Sequence, residues 1–144
     1  MRGYIMSDWV NDIYMMHNKF GVRDWFLANC NNKELMDKYL KFRLAMCKEE
    51  LDETLDALDA KDPEEIVDGL IDMCVFAIGT LDVFGVDADE AWDRVYTANM
   101  AKTVGVKEGR SNPFGLPDLT KPADWTAPDH KGNHGDLNNA FLND

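Results

Sequence analysis

Apolar residues recur along this chain with helical spacing. Trp9, Ile13, Met16 and Phe20 stand three and four residues apart, with Ser7 available as a cap before them and Gly21 as a stop after them. That pattern predicts an amphipathic helix. Residues 22–32 read as a loop or short irregular helix in which Trp25 and Phe26 need cover. Asn32 then caps a long helix expected from about Lys33 to Ala60, with an apolar stripe of Leu40, Leu44, Cys47, Leu51, Leu55 and Leu58.

The next boundary is sharp. Asp62-Pro63-Glu64-Glu65 combines an N-cap, a proline at the first helical position and an acid three residues after the cap. It opens a helix predicted over 63–84 and stopped by Gly85. From Ile66 to Leu81 this helix is apolar nearly all round, so it is expected at the centre of the domain. Asp87-Ala88-Asp89-Glu90 is a second capping box, opening a helix to about Thr103 with Trp92 and Val95 inward. After Val104 the helical period disappears, and four of the five prolines and five of the ten glycines lie there. The pattern predicts an all-α fold: a bundle of about four main helices over residues 1–103, then an irregular Pro/Gly-rich arm over 104–144.

Composition narrows the function. The 144 residues fit one domain with a moderate core. A net charge of -12 argues against a nucleic-acid duplex as partner, since duplex binding needs a basic face. A free nucleotide remains possible, because a divalent cation can mediate between acidic protein and phosphate. Three cysteines without a CxxC spacing, and only His17, His130 and His134, argue against zinc. An odd cysteine count without a secretory signal points to a reducing cytoplasm. No apolar run is long enough to span a membrane.

The informative chemistry is carboxylate. Asp68 and Asp72 are the only charges between Glu65 and Asp82, and they lie four apart on one helical face. Carboxylates in an apolar helix are costly unless paired or metal-bound. In the helix 33–60, Glu50 and Glu53 share a stripe with Met46 and Ala57 beside the apolar face, while Glu49, Asp52, Asp56 and Asp59 point to the solvated side. If the two helices pack antiparallel, Glu50, Glu53, Asp68 and Asp72 converge on one cavity. Four carboxylates cannot all ionise there without a cation, and an all-oxygen set suits Mg²⁺ or Mn²⁺. Arg43, seven residues before Glu50, can pair with these acids or contact phosphate. His17, Trp25 and Trp125 are candidates for stacking on a base and equally for ordinary packing. Asp87–Glu90 lacks the glycine and distal glutamate of a calcium loop.

These segments resemble a known family. EELDE followed by PEEIVDGLID is similar to the EExxE…ExxD signature of MazG-like and phosphoribosyl-ATP pyrophosphohydrolase-like proteins. HNKFG at 17–21, FRLAMCKEELDE at 42–53, DGLIDMCVFAIGTLDVFGVD at 68–87 and YTANMAK at 96–102 extend the similarity across roughly residues 9–103. The chain most resembles the compact single-domain versions encoded by phages and bacteria. It departs from the second motif at Gly69, where the family usually has Glu; its acid is Asp68 instead.

The resemblance implies a Mg²⁺-dependent nucleoside triphosphate pyrophosphohydrolase, converting a (d)NTP and water to (d)NMP and pyrophosphate. Glu50, Glu53, Asp68 and Asp72 would be metal ligands, with Glu50, Glu53 and Asp72 catalytic. Asn99, Lys102 and Arg43 would contact substrate. Surplus apolar surface, with Trp9, Trp25, Phe26 and Trp92 hard to bury in one bundle, points with the resemblance to a homo-oligomer, a tetramer of two dimers or a dimer; the arm could wrap a neighbour with Trp125 as anchor, or lie loose in solvent. Phosphoribosyl-ATP hydrolysis is the alternative reaction, and a non-catalytic helical interaction module is the rival of another class.

Overall fold

The computed structural model describes residues 7–109 and 112–142. The fold is all-α, with a small two-stranded sheet in an irregular C-terminal arm. The helices are α1 (Trp9–Lys19), α2 (Val22–Asn29), α3 (Lys33–Asp59), α4 (Pro63–Val83) and α5 (Ala88–Met100). Strands β1 (Thr103–Gly105) and β2 (Asp118–Thr120) pair antiparallel, and Leu137–Ala140 form a 3₁₀ turn. No single described helix is long and apolar enough to cross a membrane.

The chain divides into two compact units, residues 1–88 with 132–144, and residues 89–131. In the first, local signals set the helix ends. The N-cap of α1 is Asp8, which accepts from the Asn11 N–H, rather than Ser7. Residues 22–29 form a regular helix, admitted by Gly21 at φ 76°. Asn32 and Asp62 cap α3 and α4 through the Leu35 and Glu65 N–H groups, with Pro63 opening α4 as expected. Helix α3 closes in a Schellman motif: the Asp62 N–H bonds the Ala57 carbonyl and the Lys61 N–H that of Leu58. Its left-handed residue is Lys61, at φ 56°, where glycine would be usual.

Helices α3 and α4 form the backbone of this unit. The α4 glycines face α3 in reverse order: Gly69 lies against Thr54, and Gly79 against Arg43. The helices are therefore antiparallel and close. The apolar core lies toward one end of the hairpin, where Phe26, Met36, Val83, Phe84 and Ala140 are buried together. Aromatic rings lock it edge to face, Phe26 on Phe84 at 5.2 Å and Trp25 on Tyr39 at 4.7 Å.

One packing expectation is corrected. Helix α4 is not enclosed in the chain, since Val67, Leu70 and Ile71 are exposed, Val67 by 63%. The leucines of α3 are open too: Leu44, Leu51, Leu55 and Leu58 are exposed, Leu58 by 61%. The buried face of α3 runs through Met36, Arg43 and Ala57 with half-buried Glu50 and Thr54. Small residues allow that close approach, which leaves the leucines on a flank.

The end of the arm belongs to the first unit. Leu137 and Ala140 pack on the core, the Asn139 side-chain amide donates to the Cys30 carbonyl at 3.0 Å, and the Asp136 N–H bonds the Phe84 carbonyl at 2.6 Å. Gly135, at φ 53°, lies so near this strand of backbone that a Cβ would overlap the Phe84 oxygen and stand 2.7 Å from the Gly85 carbonyl carbon. This segment is neither loose nor regular.

In the second unit, α5 carries an exposed Trp92, at 71%, instead of the inward one expected. Trp125 donates its indole N–H to the Ala98 carbonyl at 2.7 Å, so the tail tryptophan is seated on a helix of its own unit.

Candidate functional site

The acids come from facing helices of the first unit. Glu50 and Asp72 are half-buried; Glu53 and Asp68 are exposed, as is Glu49. Asp68 is thus less buried than the apolar character of its helix predicts, because α4 is open on one side. Burial raises the Glu50 carboxyl above the ordinary carboxylate range, and the charges of Glu53, Asp72, Glu49 and Asp68 raise it further, in that order. All the charges that shift Glu50 are negative. The charges of the expected acids therefore all act on the Glu50 carboxyl, and the solvent-facing Glu49 adds to the same field.

The gathering is electrostatic rather than closed. Among the described residues, no three His, Cys, Asp or Glu side chains stand together closely enough to hold an ion as they are. The donor set nonetheless fits a hard divalent cation, since it is all oxygen and concentrated in charge.

Below these acids the helices touch through Thr54 and Gly69. The Thr54 hydroxyl donates to the Glu50 carbonyl at 2.6 Å. A Cβ on residue 69 would overlap Thr54 Oγ1, lie 3.2 Å from Thr54 Cβ and 3.6 Å from the Glu50 carbonyl oxygen. Any side chain at position 69 would have to displace Thr54. The sequence offers only a glycine in an apolar helix as a signal for this contact.

Arg43 is buried and points away from a solvent-facing role. Its Nε donates to Thr80 Oγ1 at 3.1 Å and a terminal nitrogen to the Phe76 carbonyl at 3.2 Å, with the guanidinium over the Phe76 ring. Among the described residues no carboxylate pairs with it. It also lowers the Tyr39 pKa, although burial dominates and leaves that phenol raised. The expected pairing with Glu50, Glu53, Asp68 or Asp72 is absent from the described contacts, because the α4 backbone and Thr80 take its donors.

His17 is buried in a polar cluster that the sequence does not reveal. Its Nδ1 lies 2.7 Å from Asp82 Oδ2, and Arg23 donates to the same oxygen at 2.7 Å. Trp25 packs on Tyr39. His17 is thus committed to this cluster, while Trp25 keeps 39% of its surface exposed.

Asn99 and Lys102 lie in the second unit. Asn99 is exposed, and Lys102 is half-buried with its ammonium 5.6 Å from the centre of the Trp125 ring. Lys121 approaches the same ring at 4.8 Å. The same unit holds an open groove of about 620 Å³, lined by Asp93, Arg94, Thr97, Ala98 and Trp125 among others.

A family model described as phosphoribosyl-ATP pyrophosphohydrolase matches residues 28–99. The matched stretch contains all four acids, Arg43 and Asn99, and stops short of Lys102. No curated protein and no solved structure matches the chain.

Proposed function

The chain belongs to the phosphoribosyl-ATP pyrophosphohydrolase family, and on that premise we propose that it hydrolyses nucleoside triphosphates, deoxy or ribo, to the monophosphate and pyrophosphate. The family's chemistry is hydrolysis of a pyrophosphate bond. One observation carries the reading: Glu50 sits in the field of Glu53, Asp72, Glu49 and Asp68 with no offsetting cation among the charges that shift it. A protein that stabilises itself only by packing gains nothing from such repulsion, whereas a site for a metal–polyphosphate complex needs it.

In this reading Glu50, Glu53, Asp68 and Asp72 would hold Mg²⁺, or Mn²⁺ in its place, and the ion would supply charge neutralisation for the polyphosphate and acidify water. A water attacking phosphorus, with the anhydride P–O bond breaking, would give its proton to a glutamate of this set. Pyrophosphate carries away the bond electrons. The family resemblance would give Lys102 a contact to phosphate and Asn99 one to phosphate or sugar. The exposed apolar faces of α3 and α4 support a homo-oligomer, a dimer or a tetramer of two dimers.

The test is a panel of the eight common nucleoside triphosphates together with phosphoribosyl-ATP, with Mg²⁺ and with EDTA, and with products identified. Pyrophosphate and a monophosphate from a triphosphate, only with the metal, is the expected result. Turnover of phosphoribosyl-ATP alone would move the assignment to the reaction named by the family description. No hydrolysis of any compound would reject the enzymatic reading in favour of a helical interaction module.

A further inference from the structure

We infer that Thr54 and Gly69 are positioning residues, whose contact across the α3–α4 hairpin sets the separation of Glu50 and Asp72 and hence their capacity to share a cation. The inference rests on the metal-binding reading above.

Thr54 lies one helical turn after Glu50, and Gly69 slightly less than a turn before Asp72. Because the helices are antiparallel, both residues stand on the same side of the two acids. Gly69 is buried directly against Thr54. Position 69 has no room for a Cβ, which would overlap Thr54 Oγ1 and approach the Glu50 backbone oxygen. The hydroxyl is committed as well, since it donates to the Glu50 carbonyl at 2.6 Å. A β-branched side chain in a helix has few alternative rotamers, so Thr54 cannot readily swing aside. The Thr54 hydroxyl bond stays within α3, and the steric contact of Thr54 with Gly69 spaces the turn carrying Glu50 from the turn carrying Asp72. Without a Cβ at position 69 the helices approach closely enough for the charge of Asp72 to act on Glu50, and added bulk there would widen the gap between the two carboxylates. Glycine inside a helix costs local stability, and a threonine hydroxyl bonding back to its own helix gains little. Neither residue is a good local choice, and together they make sense as a spacer.

The experiment measures Mn²⁺ binding by calorimetry and thermal melting in EDTA on the full chain, for wild type, Thr54→Ala, Gly69→Ala and the double variant. Gly69→Ala adds a methyl that must displace Thr54, so Mn²⁺ affinity should fall about tenfold or more, the scale seen when a metal ligand loses its support. Thr54→Ala removes the obstructing hydroxyl and methyl. The double variant should therefore regain most of the affinity lost by Gly69→Ala alone, although it carries two changes. Thr54→Ser retains the hydroxyl and should bind as wild type does. Should Gly69→Ala fail to fold, the double variant against Thr54→Ala still reads the effect of the added methyl in relieved space. Melting that shifts in Gly69→Ala while Mn²⁺ affinity stays at the wild-type value would make the contact purely structural and overturn the inference. Losses that add in the double variant, without recovery, would also overturn it. A wild-type protein that binds no Mn²⁺ would reject the metal-site reading itself, and the inference with it. That result is distinct from wild-type binding that the variants leave unchanged.

Discussion

Asn133 holds both backbone groups of Asp87, accepting from its N–H at 2.8 Å and donating to its carbonyl at 2.9 Å. The side chain is 8% exposed. Asn133→Ala should leave buried polar backbone unsatisfied and cost about 1–3 kcal/mol. Asn133→Asp keeps the acceptor but loses the donor, so it should fail as a rescue. Chemical denaturation of both variants measures this. Wild-type stability in Asn133→Ala would show that the clasp is incidental.

Asp72→Asn and Glu50→Gln should each reduce hydrolysis by more than the roughly 100-fold that follows loss of an outer-shell partner. Glu49→Gln should retain most activity, because Glu49 is exposed and reaches the site only through its field. Steady-state rates at saturating Mg²⁺ separate the cases. Equal losses at Glu49 and Glu50 would mean that the exposed face carries the chemistry.

Stability of the metal-free protein should fall as pH rises past the usual carboxylate range. Burial and neighbouring acids raise the native Glu50 pKa, so the folded state holds that proton more tightly than the unfolded state. The contribution is complete below the unfolded pKa and is lost as pH climbs through the raised native value. Melting in EDTA across that window should show the decline, and Glu50→Gln should flatten it. Added Mg²⁺ should also flatten it, by favouring the ionised form.

Lys61→Gly should stabilise the protein by about 0.5–1 kcal/mol. Relief of a left-handed lysine gains about 1–2 kcal/mol, and the extra freedom of unfolded glycine returns part of that. The residue is exposed, so no packing is lost. A lower melting temperature would indicate that the lysine side chain contributes more than its backbone costs.

Light scattering should give a mass that is a multiple of 16.4 kDa. Leu51→Glu with Leu55→Glu, on the exposed flank of α3, should shift it toward one protomer. A wild-type monomer with full activity would remove the assembly from the functional picture.

Much of the helical frame is legible locally. Asn32, Asp62 and Pro63 mark their helix ends because a cap is satisfied within a few residues. Periodicity groups Glu50 with Glu53 and Asp68 with Asp72, and the structure places them near enough for the other three to act on Glu50. Periodicity does not say which face of a helix meets its neighbour. The leucines of α3 make the more hydrophobic stripe, yet glycine, threonine, alanine and a buried arginine make the closer contact. The clasp of Asp87 by Asn133 and the docking of Ala140 on Phe84 join distant stretches through single groups, and nothing periodic announces them. Trp92 misleads for a simpler reason, since a large apolar residue at the right phase reads as core wherever it points.

The closing of the core by Leu137 and Ala140 has a consequence for synthesis. Phe26, Met36 and Phe84 emerge from the ribosome long before the residues that cover them. While positions 89–131 are being translated, the nascent chain presents an uncapped aromatic cluster at the end of its helical hairpin. Chaperone capture and premature self-association compete during that interval. The clasp and the snug glycine at 135 act last, so a ribosome stalled before residue 133 would display helices without a sealed interior.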